Sequence, residues 1–136
     1  MREIKFRAWD KFNKVMTYSE KNYPLSKYSI EFNWKNNNKM SLLMLIDPRY
    51  GEMREFDADI MQYTGLIDKN GKEIYEGDIV RHFKRDKEKL LKIEISSGYG
   101  VYAQENDTTK RLIGRSNTHL YYEVVGNIYE NPELLG

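Results

Sequence analysis

Four acidic residues lie close together in the middle of the chain, where carboxylates could bind a metal ion or transfer protons. They are Asp68, Glu73, Glu76 and Asp78. The run that starts at Asp68 begins like a calcium-binding loop, but such a loop needs glycine at its sixth position and an acidic residue at its twelfth. Those positions hold Glu73 and Ile79. The acidic residues therefore indicate turns, with Asp68 opening one and Asp78 bonding its own backbone after Gly77.

Histidine is the other residue type that could carry acid–base or metal chemistry. His82 and His119 lie far apart, form no HxH or HExxH pair, and have no cysteine to complete a zinc site. No nucleophile elbow, GxGxxG or Walker loop occurs. The sequence thus predicts no cofactor, no metal and no enzyme. A small hydrolase or metal-dependent enzyme built on either histidine and a nearby carboxylate is the least favoured alternative.

A basic and aromatic segment is the best candidate for a partner surface. Its members are Arg81, Lys84, Arg85, Lys87, Lys89 and Lys92, with Phe83, Tyr99 and Tyr102 on adjoining predicted strands. Small β-barrels bind single-stranded nucleic acid by stacking bases on aromatic rings beside cations. However, Asp86 and Glu88 interrupt the run, and charged hairpin tips such as Lys84 to Lys89 also discourage edge-to-edge aggregation. Both interpretations stay open.

Composition excludes several classes of protein. The 136 residues suit one domain or one domain with a small appendage, and they contain no cysteine for a disulfide. Lys and Arg number 22 against 21 Asp and Glu, a net charge of +1 that does not favour nucleic-acid binding across the whole surface. No apolar run is long enough for a membrane span, and the first ten residues do not resemble a signal peptide. We expect a cytoplasmic protein.

The pattern of short alternating segments predicts an all-β protein with at most a short helix. The predicted strands are Arg2–Trp9, Val15–Tyr18, Tyr28–Trp34, Met40–Ile46, Ile79–Phe83, Leu90–Ile95, Val101–Gln104 and Tyr121–Tyr129. Met40–Ile46 also suits a short buried helix. Glu52–Ile60 has a mixed period and is interpreted as a loop, as is Asn106–Lys110. A helix is predicted at Asn131–Leu135, with Asn131 as its cap and Pro132 in its first turn.

Tight turns fix the strand order in the middle of the chain. The turn residues that we expect to determine the fold are Gly65, Asp68, Asn70, Gly71, Gly77 and Asp78. Asn and Gly accept the positive φ angles that a two-residue hairpin needs, so a hairpin is predicted around Asn70-Gly71. The chain also contains eleven tyrosines. Because tyrosine is frequent at interfaces as well as in strands, Tyr121, Tyr122 and Tyr129 are candidates for a partner or self-association face.

Three blocks of the sequence resemble the YopX family of bacteriophage and prophage proteins. They are the opening MREIKFRAWD, the centre QYTGLIDKNGKEIYEGDIV and the close EVVGNIYENPELL, in the order of the family. The resemblance implies a β-rich protein with a C-terminal SH3-type barrel in a bacterial host. It implies no catalytic residues, because the function of the family is unknown. The segment Met16 to Phe56 carries no motif of the family.

The hairpin and the resemblance together predict two parts that share one core. Residues 1–62 are predicted to form an N-terminal β-subdomain and residues 63–136 an SH3-like barrel. The leading hypothesis is a phage- or prophage-encoded, non-enzymatic binding module that acts through a protein partner in the host or phage machinery. A nucleic-acid-binding barrel is the alternative, with affinity that falls steeply with salt. Pairing of exposed strand edges would also allow a homo-oligomer.

Overall fold

The protein is an antiparallel β structure. The computed structural model describes residues 5–18, 28–33, 39–47, 52–56, 58–84, 87–96, 100–105, 110–114 and 118–136. Their strands are β1 (Phe6–Asp10), β2 (Val15–Tyr18), β3 (Tyr28–Asn33), β4 (Lys39–Asp47), β5 (Glu52–Phe56), β6 (Ala58–Ile67), β7 (Glu73–Tyr75), β8 (Asp78–Lys84), β9 (Lys87–Ser96), β10 (Gly100–Gln104), β11 (Lys110–Leu112) and β12 (Tyr122–Asn127). The helix α1 (Thr118–Tyr121) and a 3-10 helix (Pro132–Leu135) complete the described part. The predicted all-β class is confirmed.

The chain divides into two compact units, Ile4–Gln62 and Tyr63–Gly136. In the first unit, β1 lies between β2 and the first half of β6, and β4 lies between β3 and β5. In the second unit, the end of β6 pairs with β7, and a five-stranded sheet has the order β11-β10-β9-β8-β12. Every strand pair among the described residues is antiparallel. The SH3-type closure and the shared core stay predictions.

The five-stranded sheet is curled. Two strands separate β11 from β8, and the long side chain of Arg111 on β11 spans them, with its Nη1 atom 3.5 Å from the Nδ1 atom of His82 on β8. The curled face encloses the apolar core of the second unit. This core consists of Leu66, Ile74, Val80, Leu91, Ile93, Ala103 and Tyr122.

Most predicted strands are confirmed, and the exceptions have identifiable causes. Met40–Ile46 is a strand, as its length indicated. The loop predicted at Glu52–Ile60 is wrong, because β5 and the start of β6 occupy it. An antiparallel strand with one polar and one apolar face has mixed polarity, so the charged residues of this segment did not exclude a strand. Lys110, predicted to lie in a loop, begins β11. Residues 2–4 and Trp34 of two predicted strands lie outside the described residues.

The charged hairpin tip and the C-terminal helix also differ from expectation. The strands β8 and β9 continue through Lys84 and Lys87, which are paired, so the tip is shorter than predicted. The C-terminal helix is a 3-10 helix with Pro132 in its first turn. Asn131 occupies the cap position without a side-chain cap bond, because its Oδ1 atom accepts from the backbone N–H of Asn127 instead. No helix among the described residues is long and apolar enough to cross a membrane.

Candidate partner-binding site

A buried carboxylate holds the hairpin between β6 and β7 against β12. Asp68 is 2% exposed, and its Oδ1 atom accepts from the backbone N–H groups of Asn70 and Lys72, each at 2.8 Å. Its Oδ2 atom accepts from the N–H of Val124 at 2.9 Å, while the N–H of Lys69 donates to the carbonyl of Tyr122. The turn therefore covers the outer edge of β12 and fixes the strand that follows α1.

The other turn residues include the two glycines and the aspartate around β7. Gly71 and Gly77 have φ angles of 81° and 87°, in the left-handed region that favours glycine. The N–H of Gly77 donates to the carbonyl of Ile93, and Asp78 accepts from the N–H of Tyr75 at 2.7 Å. These bonds place both buried aspartates in turns. Among the described residues, no three histidine, aspartate or glutamate side chains lie close enough together to hold a metal ion.

A bulge in β6 is bridged by a buried hydroxyl. Between Tyr63 and Leu66 the pairing with β7 shifts, which leaves Thr64 and Gly65 as extra residues on the β6 side. The Thr64 hydroxyl donates to the carbonyl of Ile74 at 2.6 Å and accepts from the N–H of Leu66 at 3.1 Å. The hydroxyl thus spans the gap in the ladder, and Gly65 takes the φ angle of 84° that the bend requires.

A pocket lies between this bulged end of β6 and helix α1. Its cavity volume is about 370 Å³, and Gly65, Leu66, Ile67, Thr118 and His119 line it. Thr118 is 1% exposed, and both its N–H and its hydroxyl donate to the carbonyl of Gly114, which fixes the start of the helix. The volume is at the lower end of the range in which proteins bind small ligands or single side chains, about 300–1,000 Å³.

Large apolar side chains are exposed on the two elements that form the pocket. Ile67 is 44% exposed on β6, and Leu120 and Tyr121 on α1 are 56% and 47% exposed. We call these three residues the apolar rim. Ile67 lines the pocket, whereas Leu120 and Tyr121 follow the pocket residue His119 on α1. Exposed apolar side chains next to a pocket are typical of a site that loses water when a partner binds. The sequence predicts Tyr121 as an interface residue but gives no signal for the pocket, because Gly65 and Thr118 are distant in sequence.

The described members of the basic and aromatic segment lie on β8, β9 and β10. Lys89 forms an ion pair with Glu105 at 2.9 Å, and Lys92 one with Glu94 at 2.6 Å. Tyr102 lies directly opposite Glu94, and its hydroxyl donates to that carboxylate. Carboxylates therefore accompany three of the predicted contacts on β9 and β10.

The strand pairing gives the positions of the remaining residues that were predicted to contact a partner. Arg81 is half-buried on β8, opposite Leu90, and Phe83 lies opposite Glu88 on the same hairpin. Lys84 and Lys87 form the last pair before the tip. Arg85 and Tyr99 lie outside the described residues. The described residues of this segment are not among those that line the pocket.

The two histidines occupy different environments. His82 is 7% exposed and stacks on Tyr122, with ring centroids 4.6 Å apart and an interplanar angle of 19°. The Nη1 atom of Arg111 lies 3.5 Å from the Nδ1 atom of His82, so His82 is part of the packed interior of the curled sheet. His119 is exposed and lines the pocket. Of the two, only His119 is placed where a partner would touch it.

Burial raises the pKa of Tyr122 above its ordinary value near 10, and the charge of Arg111 offsets only part of this effect. The neutral phenol is favoured in the folded state, so its contribution to stability is present below about pH 10 and is lost as the pH rises through the folded-state pKa. We expect Tyr122→Phe to flatten the loss of stability at alkaline pH, measured by urea unfolding across a pH series. The exposed neighbour Tyr121→Phe is the control. An unchanged alkaline profile for Tyr122→Phe would contradict this assignment.

Comparisons with known proteins agree with this architecture. A family model described as YopX protein matches residues 5–136. The structure of protein EF1440 from Enterococcus faecalis is 30% identical in sequence, with 100% of both chains covered and a TM-score of 0.65. The structure of protein yopX from Bacillus subtilis is 20% identical, covers 100% of this chain and 98% of its own, and has a TM-score of 0.67. No curated protein matches the chain. The resemblance predicted from the three sequence blocks is confirmed, and the chain belongs to the YopX family.

Proposed function

We propose that this protein is a non-enzymatic binding module, encoded by a phage or prophage, that acts in the host cytoplasm through a protein partner. The observation that carries the proposal is the pocket of about 370 Å³ with its apolar rim of Ile67, Leu120 and Tyr121. An interface needs a central apolar contact that is desolvated on binding, and a pocket that accepts a side chain supplies it.

The support of the pocket suits recognition without large rearrangement. Its β6 wall is fixed by the Thr64 hydroxyl bridge, and its α1 wall by the two bonds from Thr118 to Gly114. The turn at Asp68 holds the strand that follows α1. A preformed site of this kind loses little conformational entropy when a partner binds.

Nucleic-acid binding ranks below protein binding because of local charge. Two cations of the candidate surface, Lys89 and Lys92, form ion pairs with Glu105 and Glu94. A phosphate would have to compete with these carboxylates, whereas affinity for nucleic acid depends on cations that release counterions. Ile67 and Leu120 of the apolar rim are uncharged, so a protein partner that contacts them would not have to break an ion pair of these residues.

The proposal predicts that partner binding depends on the apolar rim. Immobilised wild-type protein is expected to retain specific proteins from lysates of Enterococcus faecalis or Bacillus subtilis, the organisms of the two similar structures. The double variant Ile67→Arg/Leu120→Ser is expected to lose at least about tenfold in retained partner, because one buried apolar side chain contributes about 1.5–3 kcal/mol.

The matched control is Leu112→Ser, since Leu112 is 67% exposed on β11 but does not line the pocket. It should retain the same proteins as the wild type. Retention that is equal for the rim variant and the wild type would contradict the proposed site. A reproducible turnover that one polar substitution abolishes would contradict the non-enzymatic assignment.

A further inference from the structure

The hairpin between β1 and β2 presents an exposed phenylalanine on a rigid turn. Phe12 is 85% exposed, compared with 67% for Leu112 and 56% for Leu120. Asp10, which is fully buried, accepts from the N–H groups of Phe12 and Asn13 at 3.0 and 3.1 Å. Its Oδ2 atom also accepts from the side-chain amide of Asn13 at 2.8 Å.

The backbone of this turn is closed as well as capped. The N–H of Lys14 donates to the carbonyl of Asp10 at 2.8 Å. Lys14 has a φ angle of 56°, a conformation that few residues other than glycine adopt. Lys11 forms an ion pair with Asp59 at 3.4 Å. The phenyl ring is therefore held out on a preorganised support, which lowers the entropy lost if it is buried by a partner.

The pocket in the second unit is of suitable size and polarity for such a ring. A dry cavity of roughly 150 Å³ is enough to bind benzene, and this one measures about 370 Å³. Leu66 and Ile67 supply apolar walls, and Gly65 supplies a wall without a side chain.

The charges beside the ring and beside the pocket are opposite in sign. Lys14 is exposed two positions after Phe12. Glu73 on β7 lies directly opposite Ile67, so its side chain projects from the same face of the strand pair as this pocket residue. A ring entering the pocket would thus bring a lysine toward a carboxylate.

We propose that a second copy of this chain is a partner of the pocket and inserts its Phe12 into it. The inference rests on the proposed function, because it names one occupant of the same site. The contact is heterologous: the hairpin tip of one copy meets the pocket of the next, and the resulting pair keeps one free tip and one free pocket. The self-contact occupies the apolar rim until another protein displaces it.

Sedimentation equilibrium of the purified chain over a concentration series up to millimolar tests this pairing. The wild type is expected to gain mass with concentration. Phe12→Ser should lower the association constant roughly 10- to 100-fold, the loss expected for one buried phenylalanine. Ile67→Arg should do the same, because it places a cation at the pocket that Lys14 approaches. Leu112→Ser is expected to behave like the wild type.

Mixing the two variants gives the sharpest result. Phe12→Ser keeps an intact pocket and Ile67→Arg keeps an intact ring, so an equal mixture should form pairs and stop at two chains. A monomeric wild type, a Phe12→Ser variant that associates like the wild type, or a mixture that stays monomeric would each overturn the inference. If Ile67→Arg still abolishes capture of lysate proteins while any of these occurs, only the self-contact fails and the proposed function stands.

Discussion

Asp68→Ala is expected to lower the free energy of unfolding of the second unit by about 3–5 kcal/mol, because it removes three backbone hydrogen bonds to a buried carboxylate. The carboxylate accepts from the N–H groups of Asn70, Lys72 and Val124 at 2.8–2.9 Å, and it is 2% exposed. Alanine leaves the three N–H groups without this acceptor, and water replaces it only in part because the bonds are partly buried. A domain of this size has only about 5–15 kcal/mol of stability, so much of it would be lost.

Two further substitutions separate this effect from simple loss of charge. Asp68→Asn keeps one acceptor oxygen for the turn but sets an amide N–H against the N–H of Val124, so we expect about half the loss. Glu123→Ala removes only the ion pair with Lys69, a partly exposed pair at 3.3 Å, and should change stability by less than about 1 kcal/mol.

Urea unfolding followed by circular dichroism measures these differences, and hydrogen exchange locates them. In Asp68→Ala, the amide proton of Val124 should exchange faster than in the wild type by the factor that corresponds to the lost local stability. If the free energy of unfolding of Asp68→Ala lies within about 1 kcal/mol of the wild-type value, the carboxylate does not hold β12.

Thr64→Val is expected to destabilise the second unit by about 2–3 kcal/mol, although valine has the same shape as threonine and favours strands. The Thr64 hydroxyl bridges the N–H of Leu66 and the carbonyl of Ile74 at a site that is 2% exposed. Valine leaves both backbone groups unsatisfied within the bulge.

Thr64→Ser is the matched control, since it keeps the hydroxyl and loses only a methyl group, at a cost of about 1 kcal/mol. The predicted order of stability is therefore Thr, then Ser, then Val. Burial and strand propensity alone would place Val at or above Thr, and that order in thermal or urea unfolding would contradict the bridging role. Because Thr64 adjoins a wall of the pocket, Thr64→Val should also weaken partner capture.

Local chemistry explains why much of the β structure was predictable. The strand Val15–Tyr18 is defined by alternation, and the hairpin around Asn70-Gly71 by turn residues that act within a few positions. The two-residue turn is wrong in detail, because five residues separate β6 from β7 and, of the pair, Gly71 has a positive φ angle and Asn70 does not. Helix α1 was not predicted, because its four residues are defined by bonds from Thr118 to Gly114 rather than by an amphipathic pattern.

The pocket and the long-range hydrogen bonds of the second unit could not be predicted in the same way. Asp68 bonds to Val124 across 56 positions, and the bulge at Thr64 and Gly65 depends on the carbonyl of Ile74. Such contacts arise from tertiary packing, for which single-sequence patterns carry no signal. Phe12 appears in the sequence only as a residue of a polar turn, and its exposure follows from how Asp10 fixes that turn.

The apolar rim is tested most directly by a photo-crosslinking side chain placed on the protein in living host cells. Benzoylphenylalanine in place of Leu120, which is 56% exposed, should give a discrete covalent adduct that untagged wild-type protein reduces by competition. The same side chain in place of Leu135, which is 43% exposed and lies on the 3-10 helix rather than on an element that forms the pocket, should give none of this adduct. Equal adducts at both positions, or none at Leu120, would contradict the account of this protein as a binding module that acts through its apolar rim.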